Sequence, residues 1–111
     1  MNLNEYQQLA LRTAKFEHLS KTEALHYLFF GLGSEVGEAL GVMKRTLRGD
    51  FALEDPDIRE KLKAELGDCL WYLSVAAQYL GYELEEIGAA NVAKLADRMQ
   101  RDVIKGEGDT R

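Results

Sequence analysis

The chain has one cysteine, Cys69, and one proline, Pro56. A lone cysteine excludes an intramolecular disulfide and gives no sign of an oxidising compartment, so Cys69 is expected to serve as a small buried apolar residue. With a single proline in 111 residues, long stretches are free to be helical without a break. No segment alternates apolar and polar residues, and no strand is expected. Positive charge is also scarce: 14 Lys and Arg against 19 Asp and Glu leave a net charge of −5. A nucleic-acid surface needs a concentrated basic face, so nucleic acid is not an expected partner. The longest apolar run, around Leu25 to Gly33, is too short and too polar to cross a bilayer, and no basic region precedes an apolar signal core. The expectation is a cytoplasmic protein without a membrane partner.

What remains is rich in Ala, Leu, Glu and Lys with a 3.6-residue apolar period, which points to an all-α domain of four helices. Asn2 with Glu5 forms a capping box for a first helix expected from about Leu3 to His18, with the stripe Leu3, Tyr6, Leu9, Ala10, Thr13 and Phe16. Ser20 with Glu23 opens a second helix that runs to about Leu47 or Arg48 and stops at Gly49. Its apolar arc includes Leu28, Leu32, Val36, Ala39 and Met43, and Lys44, Arg45 and Arg48 complement the helix dipole at its end. Gly33, Gly37 and Gly41 each cost about 1 kcal/mol relative to Ala, so close approach of a neighbouring helix is expected there.

Asp55-Pro56 reads as an N-cap followed by Pro at the first helical position, starting a third helix that ends at Gly81. Its expected stripe is Leu62, Leu66, Cys69, Leu73, Ala76 and Leu80. A fourth helix, from about Glu83 to Arg101, presents Leu84, Ile87, Ala90, Leu95 and Met99. The domain is taken as residues 1–104, with 105–111 as a flexible extension or lid lacking apolar period. Phe16, Tyr27, Phe29 and Phe30 read as core, Trp71 as core or interface, and His18 and His26 as structural.

Two acidic pairs interrupt this pattern, Glu35-Val-Gly-Glu38 on the second helix and Glu65-Leu-Gly-Asp68 on the third. Residues i and i+3 lie about 60° apart on a helix face, so each pair presents two convergent carboxylates beside the apolar arc. Two such helices packed antiparallel would build a four-carboxylate pocket. Gathering carboxylates out of water is opposed by desolvation and mutual repulsion, and a hard divalent cation offsets both. Oxygen-only donors favour Mg2+, with Mn2+ as a substitute.

The two pairs resemble the ExxE…ExxD signature of the MazG-like, all-α nucleoside triphosphate pyrophosphohydrolases. The likeness extends from about Leu28 to the tail through Glu65-Leu-Gly-Asp68-Cys-Leu-Trp-Tyr, Asn91-Val-Ala-Lys94 with Arg98, and Gly106-Glu-Gly-Asp-Thr-Arg111. It implies hydrolysis of a nucleoside or deoxynucleoside triphosphate to the monophosphate and pyrophosphate. It further implies that Glu35, Glu38, Glu65 and Asp68 hold magnesium, and that activated water attacks the α-phosphorus, with Glu38 chosen as base. Asn91, Lys94 and Arg98 share one side of the fourth helix and suit phosphate binding, and Lys105 and Arg111 are candidates to close from the tail. Tyr72, one turn beyond Asp68, is the candidate for nucleoside contact.

Two other readings compete. A ferritin-like di-iron bundle would use Glu23-Ala-Leu-His26, but needs a second Glu-x-x-His that the chain lacks. A non-catalytic helical interaction module would explain the acidity but not its placement. Apolar residues outside the main arcs, such as Leu40 and Trp71, lead to the expectation of a homodimer or homotetramer.

Overall fold

The computed structural model describes residues 1–111 and contains four α-helices: α1 (Leu3–Leu11), α2 (Lys21–Arg48), α3 (Pro56–Leu80) and α4 (Leu84–Gln100). Local chemistry sets most boundaries. At α1 the Asn2 side chain accepts from Glu5 N–H at 2.9 Å, and at α2 Ser20 Oγ accepts from Glu23 N–H at 3.1 Å while Glu23 accepts in return from Ser20 N–H at 3.0 Å. Asp55 caps α3 through Asp57 N–H at 2.9 Å, with Pro56 at the start. Gly49 (φ 94°) and Gly81 (φ 89°) end α2 and α3 in the left-handed conformation that glycine adopts without steric cost.

The long helices α2 and α3 run antiparallel, bringing Leu28 near Val75, Gly31 against Tyr72, and Glu35 beside Asp68. Ala10 of α1 joins Leu28, Val75 and Ala76 in the buried centre, flanked by Phe16, Trp71, Tyr72 and Tyr79. Gln7 fastens the corner where α1, α3 and α4 meet. Its buried amide donates to Ser74 O (3.2 Å) and Tyr82 O (3.0 Å) and accepts from Leu84 N–H (2.9 Å). Asn4 adds a bond from Glu85 N–H at 3.0 Å, so side chains of α1 satisfy two of the orphan donors that open α4. Helix α4 packs on α1 and α3 and has no contact with α2.

Several expectations change. α1 ends at Leu11, seven residues before the predicted end. The Trp71 indole donates to Ala10 O (3.2 Å) and Thr13 Oγ1 (2.8 Å), and the backbone tightens into three-residue turns at Thr13 and Ala14. The turn carries Phe16 onto the α2–α3 seam, with ring centroids 5.2 Å from Tyr27, 6.4 Å from Trp71 and 5.8 Å from Tyr79. Packing of three aromatics outweighs another two turns of helix.

On α3, half of the expected core stripe is on the outside: Leu66 is 67% exposed, and Leu73 and Leu80 are also open. The face that meets α2 holds Tyr72 and Val75 together with Ala76, the one residue of the expected stripe that is buried. On α4, Leu84 is buried, but Ile87, Leu95 and Met99 are exposed, as are Phe29 and Phe30 on α2. The α2 glycines likewise have another setting. Nothing lies within 4 Å of a Cβ built on Gly33 or Gly37, and Gly41 meets only the Arg45 side chain. The close approach occurs at Gly31, whose missing Cβ leaves the slot taken by the Tyr72 ring.

The outcome is an open molecule. Its radius of gyration is 16.9 Å, against about 13 Å for a compact chain of this length. Only 11 of 111 residues are buried, so the tertiary core is small for the amount of apolar sequence available. No helix is long and apolar enough to cross a membrane.

Candidate metal and nucleotide site

Glu35 projects from α2 toward Glu65 and Asp68 on α3. One carboxylate oxygen from each lies within 4.8 Å of the others. The antiparallel pairing produces this meeting: the i, i+3 spacing puts Glu65 and Asp68 on one edge of α3, and the helix register sets Glu35 opposite them. Glu38, the next carboxylate along α2, stands outside that triplet, although its charge is felt at Glu35.

No lysine or arginine is paired with any of the four. The Glu35 carboxyl is accordingly pushed above the ordinary glutamate range, first by desolvation and then by the charges of Asp68 and Glu65. The half-buried Cys69 thiol next to Asp68 in the chain is raised by burial and by the same carboxylates. It is thus held protonated beside the acidic group and is a poor nucleophile.

Aromatic side chains wall the site toward the core. The Tyr72 ring crosses α2 at Gly31, stands edge-on to Trp71 with centroids 5.0 Å apart, and lies 6.1 Å from the Tyr27 ring. Its phenol is pushed up to about 12, chiefly by the hydrogen bond with Tyr27 and then by burial. Tyr6 of α1 packs against the same core, its phenol raised by burial and by the charge of Asp68. Tyr6 and Gly31 were not singled out as site residues from sequence. Tyr6 carries no spacing signal toward Asp68, but Gly31 stands one turn before Glu35, where a glycine beside an acidic position is a readable hint.

The phosphate candidates lie elsewhere in the chain. Asn91 and Lys94 line a cleft of about 520 Å³ with Leu80, Tyr82, Glu86, Ile87 and Ala90, at the α3–α4 junction. Lys94 Nζ and Arg98 Nη2 both bind Asp109 Oδ1, at 3.1 and 3.0 Å. Arg111 donates to backbone oxygens of the tail itself, and Lys105 is exposed without a partner. Neither Lys94 nor Arg98 is paired with the carboxylate triplet, and the charges felt at Glu35 are all those of other carboxylates.

The remaining Glu-x-x-His motif is otherwise engaged. Glu23 is spent in the cap of α2, and the exposed His26 stacks on Phe30 with centroids 6.0 Å apart. Neither joins the acidic group, so the di-iron arrangement has no counterpart here.

A clustered, unneutralised set of carboxylate oxygens suits a hard divalent cation: the donors are all oxygen, and the repulsion among them is what a bound cation would relieve. Comparison with known proteins agrees. Residues 24–102 match the model of the MazG nucleotide pyrophosphohydrolase domain. The chain is 35% identical over 114 residues to the Gene 37 protein of Mycobacterium phage L5, with all of both chains covered. No solved structure matches it. On the span of the domain match and the identity to the phage protein, the chain belongs to the MazG nucleotide pyrophosphohydrolase family.

Proposed function

We propose that this protein hydrolyses a nucleoside or deoxynucleoside triphosphate to the monophosphate and pyrophosphate, using Mg2+ or, as a substitute, Mn2+. The observation that carries this reading is the unpaired triplet Glu35, Glu65 and Asp68. With Glu38 they form the donor set for metal. When bound, the cation supplies positive charge against the triphosphate and acidifies water at the site.

The chain's own groups do the rest. Glu38, outside the triplet, accepts the proton of the attacking water, whose oxygen bonds to the α-phosphorus as the bridging oxygen to the β-phosphorus departs with its electron pair. Asn91, Lys94 and Arg98 hold phosphates, and Tyr72 contacts the nucleoside. The Tyr72 phenol stays protonated at neutral pH, as a hydrogen-bond donor must.

This reading includes a homodimer or homotetramer in the cytoplasm. The chain exposes 8048 Å², whereas a compact monomer of 12.5 kDa exposes about 6,200 Å². The excess is the order of area that a permanent homodimer buries per subunit. The exposed Leu66, Leu70, Leu73 and Leu80 repeat along α3 at spacings of three, four and seven, a pattern suited to packing on another helix. Assembly is also the route by which α4 of one copy reaches the acidic face of another.

Pyrophosphate release from a panel of triphosphates, with and without Mg2+, tests the proposal. Asp68→Asn should lower turnover by about a hundredfold or more, the scale for loss of a transition-state electrostatic group, with the helical circular dichroism retained. Near-normal turnover in that variant contradicts the site assignment.

A further inference from the structure

The residues after α4 fold back on it. Asp102 (φ 58°), Gly106 (φ 117°) and Gly108 (φ 85°) adopt left-handed turns that reverse the chain within ten residues of Gln100. Arg111 then ties the returning segment to itself, its Nε donating to Val103 O at 3.1 Å and Nη2 to Ile104 O at 3.2 Å. Arg101 Nη2 adds a bond to Arg111 O at 2.7 Å. The product of these bonds is the position of Asp109, whose carboxylate sits on Lys94 and Arg98 together.

The two sides of that contact differ in exposure. The Arg98 side chain is 6% exposed, and Asp109 is 82% exposed. A buried guanidinium cannot be left without an anion cheaply, whereas an exposed carboxylate gives up little by returning to water. Arg98 also donates to Gly108 O at 3.4 Å, so the returning segment meets it through one backbone oxygen and one exchangeable anion. Lys94 also borders the open cleft at the α3–α4 junction, so an incoming anion has a path to the pair.

We propose that residues 103–111 form an autoinhibitory strap in which Asp109 occupies the anion position on Lys94 and Arg98, and that a phosphate group of the ligand must displace it. The identification of that phosphate with a triphosphate substrate rests on the function proposed above; the displacement itself does not. A phosphate brings more charge and more acceptor oxygens than a carboxylate to the same two cations, and Arg can grip it bidentately. The two cations hold the Asp109 carboxyl below the ordinary aspartate range, so it remains an effective competitor under neutral conditions. Arg111 is the clasp of the strap, and its bonds to backbone oxygens do not depend on the Asp109 charge.

Asp109→Asn removes the competing charge and leaves the clasp. Inorganic tripolyphosphate, titrated calorimetrically into the full chain in the presence of a chelator, probes the cations without turnover or metal. The variant should bind at least tenfold more tightly than wild type, and Lys94→Gln added to it should abolish the gain. In the wild type, tripolyphosphate should speed amide hydrogen exchange in 103–111. Binding that is unchanged, weaker or absent in Asp109→Asn overturns the strap, weaker binding meaning that Asp109 orients the cations instead. Pyrophosphate release, measured separately, tells a failed strap from a failed hydrolase reading: tighter tripolyphosphate binding without any turnover keeps the first and discards the second.

Discussion

Replacing Gly31 with alanine sets two effects of known size against each other. At an open position inside a helix, Gly→Ala stabilises by about 1 kcal/mol. At Gly31 the new Cβ would collide with three atoms of the Tyr72 ring, Cδ1, Cε1 and Cζ. That ring has little room to yield: Trp71 stands edge-on at 5.0 Å, and the Tyr27 ring lies 6.1 Å away. Overpacking of this kind costs about 1–3 kcal/mol, and a pinned aromatic ring places the cost near the upper end. Subtracting the propensity gain leaves a net destabilisation of about 2 kcal/mol. Urea unfolding followed by far-ultraviolet circular dichroism, at one fixed protein concentration because assembly would couple to folding, reads this directly. The collision is isolated by a second pair: on a Tyr72→Leu background, Gly31→Ala should become neutral or stabilising. If Gly31→Ala alone is as stable as wild type, or if its effect is the same on both backgrounds, the slot account is wrong.

Two further outcomes follow from the acidic site and the open faces. Glu35 has a raised carboxyl in the folded state, so its contribution is complete below the usual glutamate value of 4.5 and is lost as pH rises through the raised one. In a chelator, the melting temperature of the wild type should therefore fall relative to that of Glu35→Gln as pH climbs above 4.5 toward neutrality, and Mg2+ should narrow the gap; a pH-independent difference refutes this. Leu73→Glu with Leu66→Glu places charge on the exposed stripe of α3. Light scattering should show a smaller particle with unchanged helicity, and a fully active wild-type monomer at micromolar concentration would contradict the assembly reading.

The capping boxes at Asn2 and Ser20, the Asp55-Pro56 start and the stops at Gly49 and Gly81 are all readable because each depends on residues within one or two turns. The end of α1 is not, because it is decided by Trp71, some sixty positions away, through bonds to Ala10 O and Thr13 Oγ1. Apolar period showed that α3 has a stripe but not which stripe meets α2. With Leu and Ala distributed around much of the helix, the buried face was settled by Tyr72 entering the slot at Gly31. The site divides in the same way. The spacing of Glu65 and Asp68 puts both on one edge, and Glu35 meets them because of helix register.

By itself, then, the sequence determined the helical class, the helix starts, the glycine stops of α2 and α3, and the presence of paired carboxylates, since each is written in short-range spacing. The tertiary structure alone decided that Glu35, Glu65 and Asp68 converge, that Lys94 and Arg98 meet Asp109, and that much apolar surface stays open. These depend on contacts between elements distant along the chain, where several faces of the same amphipathic helix are nearly equivalent until one aromatic ring and one small residue fit together.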